Sequence, residues 1–83
     1  MTVTVTQFDN EAASQAVTIY ADGERVGVIG PGESLTIKRD HISLICAECG
    51  VYNRSISVDG DVSLQVRWNS MAQDMDLTPV RNL

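Results

Sequence analysis

Ala16–Ile37, AVTIYADGERVGVIGPGESLTI, is the stretch that decides how this chain folds. Its apolar and polar residues alternate, the period of a strand with one face buried. Val17 and Ile19 point one way, Thr18 and Tyr20 the other. Asp22-Gly23 follows, a pair that tolerates the positive φ angles of a two-residue type I′ turn. Such a turn sets Tyr20 opposite Arg25, Ile19 opposite Val26 and Val17 opposite Val28. Turn chemistry and hydrophobic pattern then agree on one register. The next break is Gly30-Pro31-Gly32, where Pro31 lacks an N–H and is unsuited to a central ladder. Leu35 and Ile37 resume the alternation. Either a tight turn pairs Leu35 with Val28 and Ile37 with Val26, or the chain crosses here to a second sheet.

Working outward, Thr2–Gln7 (TVTVTQ) is a β-branched alternating run with Val3 and Val5 on its apolar face. His41–Ala47 (HISLICA) is apolar on both faces, as in a central strand covered on two sides. Asn53–Val58 and Val62–Trp68 alternate again. With Asp59-Gly60-Asp61 between them they form a hairpin, Val58 opposite Val62 and Ile56 opposite Leu64. Trp68 anchors the core from the end of its strand. The last residues change character: Ser70 is placed to cap a short helix carrying Met71 and Met75 on one face, and Pro79 ends it. These signals predict an all-β protein, a small antiparallel β-sandwich of about seven strands over residues 1–69. Residues 70–83 form a short C-terminal tail or a single helical turn.

Eighty-three residues make one domain with a modest core. Six basic residues against eleven acidic ones give a net charge of −5. The basic residues are scattered, which argues against a phosphate-tracking face and against nucleic acid as a partner. No apolar run is long enough to span a bilayer. The first residues lack the charged and apolar regions of a signal peptide; with no spanning segment either, a cytoplasmic location is favoured, and an excised or processed domain fits the sequence equally.

The matching residues Val17, Ile19, Asp22, Gly23, Val26, Gly27 and Gly30 carry a resemblance to small bacterial β-sandwich modules of the PEGA and carboxypeptidase-regulatory-like type. Those modules run from an alternating strand through an aspartate-glycine turn to a strand with a Val-Gly step. Typical members then have a glycine-histidine step, whereas this chain has Asp40-His41. The resemblance implies a non-catalytic surface or interaction module and transfers no active site.

Cys46-Ala-Glu-Cys49-Gly50 looks like one knuckle of a zinc ribbon, two thiolates with a glycine supplying the turn. A structural zinc site needs four ligands, and with His41 the chain offers three. A symmetric dimer would complete an all-cysteine site across its two-fold axis. The plainer reading packs Cys46 in the core and leaves Cys49 at the turn. No cofactor is then needed. Asp40 and His41, as neighbours on a strand, point to opposite faces and make a poor base with its orienting group. No serine or cysteine is assigned to His41 as a nucleophile. Gly27–Ser34 has the glycines of a phosphate loop without its lysine or following helix. Asp59 and Asp61 lack the remaining pattern of a calcium loop. The expected function is therefore that of a non-enzymatic interaction module acting through protein contacts, self-association in its simplest form. Its contact surface is an edge strand or the face bearing the cross-strand pair Tyr20 and Arg25. The alternative is a structural protein linked by zinc.

Overall fold

The computed structural model describes residues 1–9, 15–69 and 74–80. Among these are eight strands: β1 (Thr2–Gln7), β2 (Val17–Ala21), β3 (Glu24–Ile29), β4 (Ser34–Lys38), β5 (Leu44–Cys49), β6 (Tyr52–Ser57), β7 (Val62–Asn69) and β8 (Asp74–Pro79). They form two four-stranded sheets, β4-β1-β7-β8 and β3-β2-β5-β6, packed as a small β-sandwich. Pairing is antiparallel except between β1 and β7. No helix among the described residues is long and apolar enough to cross a membrane.

The β2–β3 hairpin forms on Asp22 and Gly23, both at positive φ (50° and 85°), as a type I′ turn requires. Tyr20 pairs with Arg25 as expected, but a bulge then makes Val26 an extra residue. Ile19 therefore faces Gly27, and Val17 faces Ile29. The shift turns Ile29 inward (1% exposed) and Val28 outward (43% exposed). Gly27 explains why the shift is favourable. A Cβ there would lie 2.9 Å from Leu35 Cδ2, so the missing side chain is the space that Leu35 fills. The bulge exchanges an inward Val28 for a larger inward Ile29 and lets the other sheet approach.

Gly30-Pro31-Gly32 carries the chain across to the other sheet, and β4 pairs with β1, not with β3. Gly32 lies at φ 78° and donates its N–H to the Gln7 carbonyl (2.9 Å). The Glu33 carboxylate closes the crossing by accepting the Gly30 N–H (2.6 Å). Asp59-Gly60-Asp61 is likewise a crossing and not a hairpin. β6 turns back on β5 through Gly50 and Val51, while β7 lies parallel to β1 in the first sheet. Asp61 fixes this corner by accepting the Thr2 N–H (2.7 Å).

The expected tail is also corrected. Asp74–Pro79 is a strand paired along β7, with Met75 and Leu77 buried two residues apart. That two-residue spacing is strand period, and it seats the segment as the last strand of the first sheet. Ser70, Met71 and the other residues of the proposed helix up to 73 lie outside the described residues, as do 81–83. Residue 69 is thus no boundary of the folded unit.

Val3, Val5, Leu64, Val66, Met75 and Leu77 from the first sheet meet Val17, Ile19, Ala21, Ile29, Ile45 and Ala47 from the second. One polar side chain, Gln7, is buried among them. It donates to the Ile29 carbonyl (2.8 Å) and accepts from the Trp68 indole N–H (2.9 Å), tying the ends of the two sheets together. Every buried side-chain nitrogen and oxygen among the described residues has a hydrogen-bond partner. Trp68 meets Tyr52 edge-on at 5.2 Å, and Arg54 of β6 is ion-paired with Asp74 of β8. The first joins β6 to β7 and the second joins the outermost strands β6 and β8, so together they close this seam between the sheets.

Candidate binding face

The second sheet buries one face only. Ile45, Ala47 and Cys49 of β5 point inward, while Leu44 is 39% exposed and Cys46 half-buried on the opposite side. The expectation of a strand covered on both sides fails, because no described residue forms a layer over this sheet. Ile42, expected on the same face as Leu44, lies before β5 and is fully buried.

The strand registers lay the outward residues in rows. One row runs Arg25, Tyr20, Cys46, Ser55 across β3, β2, β5 and β6. The row above it is Val28, Thr18, Glu48, Asn53. Below it stand Leu44 and Ser57. Tyr20 is half-buried by its neighbours, and Arg25 and Glu48 are exposed. The sequence reading found Tyr20 and Arg25 through the turn. It missed Val28, Leu44 and Glu48, whose outward direction follows only from the bulge and the uncovered sheet.

The proposed zinc knuckle does not assemble. Cys46 and Cys49 both lie within β5, three residues apart, and so project from opposite faces. The Cys46 thiol reaches toward Asn53 Oδ1 (3.7 Å) on the outer face, and the Cys49 thiol donates to Gln15 Oε1 (3.3 Å). The plainer reading also reverses: Cys49 is the buried thiol and Cys46 the half-exposed one, both free. His41 stands exposed at the far end of β5. No three His, Cys, Asp or Glu side chains among the described residues are grouped to hold a metal ion.

His41 does have a partner that the sequence reading overlooked. Its Nε2 lies 2.8 Å from Ser43 Oγ, since residues two apart in an extended segment share a side. Asp40 forms no hydrogen bond or ion pair with this ring among the described residues. Asp22 lies nearby but is engaged elsewhere, its carboxylate accepting the N–H groups of Ser43 (3.0 Å) and Leu44 (2.9 Å). The His41–Ser43 pair is exposed and lines neither of two surface hollows. One, of about 440 Å³, is bordered by Thr2, Thr4, Asp61, Ser63 and Val80. The other, of about 240 Å³, lies between Ile56, Val58, Leu64 and Pro79. Among the described residues no third group orients the His41 ring, as a nucleophile's base requires.

Asp74 is held below the usual carboxylate range, chiefly by the Met75 N–H (2.8 Å) and further by Arg54, with partial desolvation opposing both. It serves the seam between sheets, not the outer face. Comparison with family models, with curated proteins and with solved structures finds no match to this chain.

Proposed function

We propose that this domain is a non-enzymatic interaction module that associates with itself through the outer face of its second sheet. The observation carrying this reading is the outward position of Val28, Tyr20 and Leu44 on one uncovered face, with Arg25 beside them. An aromatic side chain already held by its strand loses little freedom on contact, and arginine and tyrosine are favoured anchors of interfaces. The resemblance to PEGA-like modules points the same way.

Edge pairing is the competing route, and two edges are blunted against it. The β3 edge carries the bulge at Val26, and β8 ends on Pro79. The face is a better surface than either of these two edges. Sedimentation velocity from about 1 μM to about 1 mM, the span of weak affinities, tests the reading. A sedimentation coefficient that climbs with concentration is expected. A constant monomer value across that span overturns it.

A further inference from the structure

The outward residues of the second sheet are arranged so that the face is complementary to itself. Val28 on β3, Tyr20 on β2 and Leu44 on β5 each stand one strand across and one row down from the last. They form a straight apolar diagonal. Arg25 lies on one side of it and Glu48 on the other. With strands about 4.8 Å apart and outward residues about 6.7 Å apart along a strand, Arg25 and Glu48 sit at the same level along that diagonal. By the same spacings they are about 12 Å from each other, too far to pair within one chain. The ion pairs among the described residues are Arg39–Glu24 and Arg54–Asp74, so Arg25 and Glu48 are both left uncommitted.

We infer that the occupant of this face is a second copy of the chain, related by a two-fold axis lying along the Val28–Tyr20–Leu44 diagonal. This rests on the self-association proposed above and specifies its geometry. Rotation about such an axis reflects each residue across the diagonal onto its copy. Val28, Tyr20 and Leu44 then meet their own counterparts. Each Arg25, about 4 Å from the axis, stands level with the partner's Glu48, about 8 Å from it. The long arginine side chain spans that offset of about 4 Å. One face so provides an apolar stripe and two symmetric charge pairs, the isologous arrangement a two-fold dimer requires. A chain of net charge −5 otherwise repels its own copy, and placing a cation opposite each Glu48 offsets that repulsion locally.

The size of the patch sets the strength. Four strands at about 4.8 Å by six residues at about 3.3 Å give roughly 400 Å² per copy. The total, roughly 800 Å², lies below the range of stable specific interfaces and among transient ones, so the dimer is weak and concentration-dependent.

Charge reversal separates this geometry from self-association in general. Dimer dissociation constants are measured for the parent chain, Arg25→Glu, Glu48→Arg and the double reversal. Both residues are exposed, so folding is preserved, which circular dichroism verifies. Each single reversal is expected to weaken the dimer about tenfold, and the double reversal to restore it. A dimer indifferent to the single reversals, or not recovered by the double, overturns the diagonal axis while leaving self-association standing. A monomer at about 1 mM, the weak end of affinity, removes both together. A second measurement uses Leu44→Cys in a Cys46→Ser background. Mild oxidation is expected to give a covalent dimer faster than Thr36→Cys in the same background. Equal rates overturn the axis.

Discussion

The outer faces of the two sheets share small polar side chains and differ in the apolar ones set among them. On the first, Thr4 and Thr6 of β1 stand beside Thr36 and Ser34 of β4, and Ser63 and Gln65 of β7 continue the rows. The hydroxyls bond one another, Thr6 to Ser34 at 2.7 Å and Thr4 to Thr36 at 3.5 Å. On the second, the same rows hold Tyr20, Val28, Leu44, Arg25 and Glu48. Both sheets bury their inward residues alike. Inward residues therefore set the fold, and outward ones are free to differ; the surface with unmatched apolar and charged groups is where a partner gains most.

The sharpest way to break this contrast is to exchange neighbours across one sheet. Ile45 points inward and Leu44 outward on the same strand. Ile45→Ala should lower the unfolding free energy by about 2–5 kcal/mol, whereas Leu44→Ala should change it by less than about 1 kcal/mol. Urea titration of the two variants measures both, and similar losses would mean that the outer face is covered after all. Gln7→Leu comes next. It removes the donor to the Ile29 carbonyl and the acceptor of the Trp68 indole, so about 1–3 kcal/mol is expected from the same titration. Smaller still is the difference between faces in association. Tyr20→Ser should weaken the dimer about tenfold, or about 1.4 kcal/mol, while Thr36→Ala leaves its sedimentation unchanged. The smallest effect belongs to Asp74, whose folded carboxyl titrates below its unfolded value. Its contribution is present at neutral pH and is lost as pH falls from the ordinary aspartate range through the folded value. Carboxyl NMR titration of Arg54→Ala should show that value rising only part of the way, because the Met75 N–H remains.

Inward residues were the legible part of the sequence. Val3 and Val5, Val17 and Ile19, Leu64 and Val66 follow directly from period two, and Asp22-Gly23 names its own turn. What remained hidden was which sheet each strand joins. Gly30-Pro31-Gly32 and Asp59-Gly60-Asp61 mark where the chain bends, but a bend that stays in the sheet and one that leaves it use the same residues. The bulge at Val26 was hidden for a related reason. Val28 and Ile29 are equally good inward residues until Leu35, from the other sheet, needs the space at Gly27. β8 was masked because Met75 and Leu77 give only two inward positions, with a proline beside them. In the candidate site, the Tyr20–Arg25 pair was legible because it sits within two residues of the turn. The cysteines read as a turn knuckle only while the strand is taken to end at Ala47; β5 runs on to Cys49, and an odd spacing within it separates the thiols.

The place of β1 has a kinetic consequence. It precedes every other strand in the chain, yet it lies inside its sheet, between β4 and β7, pairing Val3 with Ile37 and with Val62. The second sheet, by contrast, contains two tight hairpins, β2–β3 and β5–β6, whose ends close short loops. Closing a longer loop costs more chain entropy, and structures rich in distant pairings fold slowly. Pulse-labelling hydrogen exchange during refolding should find the amides of β2, β3, β5 and β6 protected before those of β1. Until β1 is captured, a newly folding chain exposes the inward faces of Val5 and Leu64, and it is in that interval that aggregation competes with folding.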